Sequence, residues 1–311
     1  MNSINHVLKI LTSQDSKLLC TKSEYIAALL QYLPFAQSAL EMPKPKTYTE
    51  LVKEELTLFS SKSNVEITSD YSSTGVNPGA IAYHRIKGLI LADYYWYGFS
   101  TKQFERDLLA ADSNPNLYCH FVHITSGGGE AWYLDRLSET MRSLVKPVYV
   151  LIEKTCASAG YYIGCHGTKV MALTQNDSIG CIGTMVSFWD MEPYLKSLGF
   201  NKIEEYATKS DLKNKKYNDL KNGKPEQFIR EELDPLQVQF ETEVRTARKA
   251  LKKLAEDHPA VRGETYDATN AQPVGLIDGV VTLSDALNEA YEMGLSWNKK
   301  NQIRNRAASF I

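Results

Sequence analysis

From about residue 80 the sequence alternates short apolar runs with amphipathic stretches, and that alternation restricts the chain to few architectures. The runs AIAYHRIKGLI, LYCHFVHIT, PVYVLIE, KVMAL and KIEEYA are rich in the β-branched and aromatic residues that suit strands. Between them lie STKQFERDLLAA, EAWYLDRLSETMRSLV and EPYLKSLG, which read as amphipathic helices. Alternation of this kind predicts a parallel sheet with crossover helices, an α/β fold.

The flanks read differently. Residues 1–78 carry apolar positions at helical spacing in SEYIAALLQYL, then EMPKPKTYTE and the polar SSKSNVEITSDYSSTGVNPG, which predicts a helical extension followed by a mobile connector. Residues 225–256 read as one long helix or a pair, with basic residues late, where the helix dipole favours them. The closing AQPVGLIDGVVTLSDALNEAYEMG predicts a turn, a short strand and a helix capped by Thr282 or Ser284. The chain thus divides into an extension (1–78), a core (79–224) and a C-terminal helical region (225–311).

A formal charge of −2 gives no general pull toward nucleic acid, so none is expected as a partner. The five cysteines are odd in number and lack C-x-x-C spacing, which suggests neither a disulfide framework nor a zinc site. The N-terminus shows no signal-peptide pattern, and the apolar runs are too interrupted to span a bilayer of roughly 30 Å. A cytoplasmic protein without a membrane anchor is expected.

Three segments could carry chemistry. In HITSGGGEAWYLDRL, an apolar strand ends at Ile124, three glycines follow, and a helix is expected from near Glu130. Several backbone N–H groups can then point into one small space and hold an anion or oxyanion, although a plain tight turn reads equally from these residues alone. No G-K-[ST] ending or G-x-G-x-x-G spacing marks a phosphate loop.

The second segment, EKTCASAGYYIGC, places Ser158 among small residues where a strand gives way to a helix, either as a reactive hydroxyl or as a helix cap. The third, YATKSDLKNKKYNDLKNGKP, is rich in lysine and reads by default as a solvated surface. A serine hydroxyl needs a base, and lysine serves only when burial or a nearby cation lowers its pKa by roughly 3 units. His123 and His166 are alternative bases, with a structural role as their default.

Taken together, the ordered motifs ITSGGGE, KPVYVLI, CASAGYYIG, NDSIGCIGT, YATKSDLKNKKY and AQPVGLIDGV resemble the signal peptide peptidase family of serine–lysine peptidases, including its phage and prophage head-protease branch. The resemblance covers about residues 81 to 290. It implies a Clp protease/crotonase-like fold of repeated β-β-α units, with the helical extension at one end and C-terminal helices at the other. By match to the family motifs, Ser158 is the nucleophile, Ser178 orients the lysine, and the N–H groups of Gly128 and Ala159 form the oxyanion hole. Lys213 is the first candidate for the base, Lys209 the second and Lys215 the third, because KSDLK is one residue shorter than the family spacing. Gly127 stands where the family has proline, and Ala159 where it has glycine.

The resemblance further implies acyl-enzyme cleavage of peptide bonds with no metal or organic cofactor, and a homo-oligomer, such as a ring, in which the lysine reaches a neighbour's serine. The substrate is expected to be a protein or peptide lying as an extended strand beside the glycine loop. A capsid or scaffold protein fits the head-protease branch. A housekeeping peptidase, a catalytically weak capsid-assembly scaffold and an acyl-CoA enzyme of the crotonase type are the alternatives.

Overall fold

The computed structural model describes residues 18–20, 47–62, 64–93, 98–188, 190 and 192–308. The helix expected over SEYIAALLQYL lies outside the described residues. The strands are β1 (Leu18–Cys20), β2 (Ile67–Thr68), β3 (Ala80–Lys87), β4 (Ile90–Leu91), β5 (Phe99–Ser100), β6 (Leu117–Ser126), β7 (Gly128–Glu130), β8 (Val148–Ala157), β9 (Lys169–Ala172), β10 (Ser178–Gly180), β11 (Thr265–Asp267) and β12 (Gly279–Val280). The helices are α1 (Tyr48–Ser60), α2 (Thr101–Ser113), α3 (Leu134–Ser143), α4 (Ala159–Gly164), α5 (Glu192–Ser197), α6 (Lys215–Lys221), α7 (Asp234–Ala247), α8 (Ala268–Val274) and α9 (Leu283–Ala308).

The central sheet runs β11-β10-β8-β6-β3-β2, with β9 pairing β8 and β12 pairing β9. Every pairing in it is parallel except β10 with β11. A parallel sheet has to be covered on both faces, and the period-2 alternation of side chains shows how. Val122 and Ile124 of β6 and Val150 and Ile152 of β8 face a core shared with α2, α3, α4, α7 and α8. Cys119 and Phe121 of β6 and Tyr149 and Leu151 of β8 face the opposite core, closed by Phe59 of α1 and by Ala286, Leu287 and Ala290 of α9. The expected α/β architecture is therefore present, and two β-β-α units are evident: β3, β4 and α2, then β6, β7 and α3.

A second, small sheet, β1-β7-β4-β5, stands beside the first and carries the glycine loop. Triple glycine is required there at one position above all. A Cβ on Gly129 would lie 1.9 Å from Ile90 O, inside the β4 backbone, so any side chain would force β4 and β7 apart.

Several local expectations are corrected. The helix expected from Glu130 starts at Leu134, because Glu130 belongs to β7, where its carboxylate accepts the Ala92 N–H at 2.7 Å. KIEEYA forms no strand: residues 201–207 pair with no neighbour among the described residues, and Ile203 is 87% exposed. The polar connector before residue 80 instead contributes β2 to the sheet edge, and Asn114 Nδ2 donates to the carbonyls of Tyr71 and Ser73, pinning it to the core. The helix expected over 225–256, as one or a pair, runs through a π-helical segment, Ile229–Leu233, to Ala247 and ends at the extended Arg248. Of the two cap candidates, Thr282 accepts the Asp285 N–H, while Ser284 lies inside α9. Among the described residues, no helix is long and apolar enough to cross a membrane.

Candidate active site

β8 brings Ser158 to its position by an irregular route. Ile124 pairs Ile152, yet the next register pair is Ser126 with Cys156, so β8 holds two extra residues here. Lys154 takes up the bulge at φ 66°, and the buried Asp177 carboxylate fixes it by accepting the Lys154 N–H at 2.9 Å. Asp177 also accepts the N–H and the hydroxyl of Thr174, both at 2.8 Å, which ties the turn before β10 to the bulge. β10 then pairs the second half of β8, with Ser178 opposite Thr155 and Gly180 opposite Ala157.

Beyond Ala157 the strand turns into α4 through Ser158, whose φ of 53° and ψ of −122° lie outside the ordinary regions for a residue with a Cβ. The turn is held on both sides. The Ser158 N–H donates to Gly180 O at 2.9 Å, and Ser158 O accepts from Tyr162 N at 2.8 Å. A serine in a strained strand-to-helix turn is the arrangement of a nucleophile elbow, in which the hydroxyl is thrust out ahead of the helix. Ser158 makes no side-chain cap to α4, so the helix-cap reading fails.

The small neighbours also have a packing reason. Ala157 and Ala159 are fully buried, and a Cβ on Gly160 would come within 3.0 Å of Ser126 O, so α4 sits hard against the end of β6. The glycine strand β7 begins two residues after Ser126, in the same neighbourhood.

The structure places the expected site residues as follows. Ser158 Oγ points toward Gly183 O at 3.5 Å and has no side-chain base among the described residues. Ala159, as the first residue of α4, has an N–H with no partner within the helix. Gly128, at φ 111°, donates its N–H to Ser126 Oγ at 3.1 Å, and Ser126 Oγ donates to Gly88 O at 2.6 Å. That donor is therefore engaged. Ser178 is half-buried beside the elbow strand and bonds to neither Ser158 nor a lysine. Lys209 and Lys213 are exposed, with no ion pair among the described residues, and Lys215 pairs Asp219. Among the described residues, no lysine lies within hydrogen-bond reach of Ser158.

The two histidines considered as bases, His123 and His166, have other partners. His123 Nδ1 is hydrogen-bonded to Tyr83 OH at 3.0 Å, and its Nε2 lies 3.2 Å from Glu153. Burial opposes charge on His166, but Cys165 and the Glu243 carboxylate, 2.8 Å away, hold it protonated up to about 10, so it is no base at neutral pH. Burial has the opposite outcome for His84, His120 and His123, whose imidazoles are held below the usual range, His123 at about 4. An unfolded chain takes up these protons near pH 6.5, whereas the folded chain resists them. Their contribution is complete above about pH 6.5 and is lost as pH falls toward about 4. His166, held protonated, gains stability as pH falls through the same window, so the test is made in His166→Gln, where the urea midpoint should fall between about pH 7.5 and about pH 5 and an unchanged or higher midpoint would contradict the neutral buried cluster.

Asp177, Gly180, Gly183 and Ser126 were not singled out from sequence. Asp177 had a visible signal, since Asn-Asp directly before a strand is turn and cap chemistry. The others act through backbone or through a long-range pairing that no local pattern shows.

An α/β chain with a serine on a strained elbow, beside a glycine strand, has the framework of a serine hydrolase. The family model for Peptidase family S49 matches residues 140–295, half of the chain and the part that holds the elbow, and the chain belongs to that family. It is 25% identical over 241 residues to an Enterococcus faecium protein provisionally named signal peptide peptidase SppA, covering 72% of this chain and 66% of that one. It is 28% identical over 198 residues to a provisionally named protease of Methanocaldococcus jannaschii, covering 57% and 60% respectively. The chain therefore spans less than two thirds of the length of each of these relatives. A mutant of ClpP1 from Listeria monocytogenes aligns with 66% of this chain and 94% of its own at 14% identity, with a TM-score of 0.40, an overlap too low to carry functional weight.

Proposed function

We propose that the protein is an endopeptidase in which Ser158 attacks the scissile carbonyl and a lysine, Lys213 first and Lys209 second, acts as the base. The observation that carries this reading is the strained Ser158 elbow next to the glycine strand, since strain of this kind persists only where the surrounding structure enforces it. The lysine would take the hydroxyl proton, hand it to the leaving amine, and then activate the water that hydrolyses the acyl-enzyme. Gly128 and Ala159 would donate to the oxyanion, each worth roughly 3 kcal/mol, once Gly128 exchanges Ser126 Oγ for the substrate oxygen. Ser178 would orient the lysine.

On this reading the base comes from a neighbouring subunit, and the surface supports this. Tyr194, Leu195, Leu198, Phe200, Ile203 and Leu212 are all exposed, close in sequence to Lys209 and Lys213. An apolar stretch of this extent suits a subunit contact, and burial there is what lowers a lysine pKa. A homo-oligomer in which this segment reaches the neighbour's Ser158 accounts for both features.

Ser158→Ala should lower peptide cleavage at least about a thousandfold while leaving the circular dichroism spectrum unchanged. The assay should offer a generic peptide and, in parallel, a co-expressed capsid or scaffold precursor, because the proposed setting is head maturation. Cleavage of both by Ser158→Ala at the wild-type rate would end the proposal. Cleavage of the peptide alone by wild type would keep the peptidase and remove the capsid setting.

A further inference from the structure

A cavity of about 510 Å³ lies between β3, α1, α2 and the connector at 69–72, and among the described residues none of its lining belongs to β6, to the elbow or to the glycine strand. Its walls are aromatic, with Tyr48, Tyr71, Phe99 and Phe104, and a space of this order suits a small ligand. His84 of β3 stands in that wall, stacked on Tyr71 with ring centres 4.6 Å apart and edge-on to Phe104 at 5.6 Å. It is 1% exposed, and its Nδ1 has no hydrogen-bond partner among the described residues. An orphaned buried polar atom in a cavity wall calls for an explanation.

The protons near it can be placed from the far end of a chain of hydrogen bonds. Burial raises Asp112 of α2, but hydrogen bonds from His120 and from the N–H groups of Val145 and Lys146 outweigh it and hold the carboxyl below its usual range, so Asp112 only accepts. His120 Nε2, 3.3 Å away, therefore carries a proton, and burial keeps the ring neutral, which leaves a lone pair on its Nδ1. His84 Nε2, 3.1 Å from that lone pair, is then the donor. His84 is also held neutral by burial, so its Nδ1 is an acceptor to which nothing donates. The two nitrogens of an imidazole point to nearly opposite sides. With Nε2 directed at His120 on β6, Nδ1 points away from β6, the side on which the cavity lies.

Three donors in the same wall are spent elsewhere. The Tyr71 hydroxyl donates to Tyr83 O at 2.7 Å, the Tyr48 hydroxyl to Arg85 O, and Gln103 Nε2 to Asp107 at 2.9 Å. Arg85 also lines the cavity, yet its guanidinium is turned to the opposite face of β3, where it pairs Glu55 and donates to Thr125 at 2.9 Å. The charges left in the described lining are the carboxylates of Asp70 and Asp107. Burial pushes the Asp107 carboxyl up, a shift that a cation beside it reverses.

We propose that this cavity is a binding site for a small organic ammonium ion, a primary amine on an aromatic or apolar body, whose N–H supplies the donor that His84 Nδ1 lacks and whose charge is balanced by the acidic lining. A neutral lone pair among carboxylates admits a cation and opposes an anion, and aromatic ring faces add to the preference. The site stands whether or not Ser158 is the nucleophile.

The test titrates the full chain with phenethylamine, phenethyl alcohol and phenylacetate, probes of similar shape with a cationic, a neutral and an anionic head. Calorimetry reads the affinities, and a proton–nitrogen correlation spectrum follows the imidazole nitrogens of His84. Phenethylamine should bind at least about tenfold more tightly than the alcohol, with phenylacetate undetected, and the His84 Nδ1 resonance should move as it does for a nitrogen that accepts a hydrogen bond. Asp107→Asn should weaken the amine at least about tenfold and leave the alcohol within about twofold, whereas His84→Phe should weaken both. Should His84→Phe fail to fold, Asp107→Asn and the wild-type spectrum still decide. Phenylacetate binding as tightly as the amine, amine binding that leaves the His84 nitrogens unmoved, or no amine binding at millimolar concentration would each overturn the site. A His84 Nδ1 that already accepts a hydrogen bond in ligand-free protein, unchanged on adding the amine, shows that water fills the place and overturns it as well.

Discussion

Co-expression of Ser158→Ala with Lys213→Ala chains should restore activity that neither shows alone. Ser158→Ala removes the nucleophile, Lys213→Ala the base, and each should cost at least about a thousandfold. In a symmetric assembly each site would draw its serine from one copy and its lysine from the next. Random mixing then rebuilds about a quarter of the sites, so activity should recover to that order, hundreds of times above either parent. The expectation comes from the geometry of the single chain, where Lys209 and Lys213 are exposed and, among the described residues, Ser158 Oγ has only Gly183 O in reach. Recovery confined to mixtures containing Lys209→Ala in place of Lys213→Ala would not discriminate the two candidates, so Lys209→Ala is measured alone as well. If Lys213→Ala alone retains full activity and Lys209→Ala alone loses it, the base is Lys209. If both retain it, the lysine base is wrong.

Gly129→Ala should be the most damaging methyl group that can be added near the site. The new Cβ would lie 1.9 Å from Ile90 O and 2.6 Å from Ile90 N, both backbone atoms that no rotamer change relieves. β4 must leave β7, and the strand that presents Gly128 goes with it. A cost of roughly 3 kcal/mol or more is expected, with near-complete loss of activity. Gly223→Ala is the control, since Gly223 has φ 74° with open space around it. There only backbone strain applies, about 1 kcal/mol. Equal urea midpoints for the two variants would contradict the close approach.

Much of this framework could be read from the sequence. The strand and helix order from residue 80 followed from the spacing of apolar residues, and Ser158 stood out because small residues surround it at a strand-to-helix junction. The reason for those small residues was only half visible. They allow α4 to pack against Ser126, a contact between segments more than thirty residues apart. The bulge at Lys154 was hidden for a related cause, since its anchor, Asp177, acts on a backbone N–H 23 residues away. KIEEYA has strand composition, but strand formation needs a partner edge, and none of the described residues offers one. The pairing of β1 with β7 joins segments over a hundred residues apart and has no local signature at all.

The central claim is that Ser158 is the nucleophile, and chemical trapping tests it most directly. Wild-type protein treated with a fluorophosphonate, digested and read by mass spectrometry should carry one adduct, on Ser158, with peptide cleavage lost in proportion to labelling. An adduct on another residue that accounts for the lost activity, or full cleavage by protein whose Ser158 is quantitatively modified, would contradict the account.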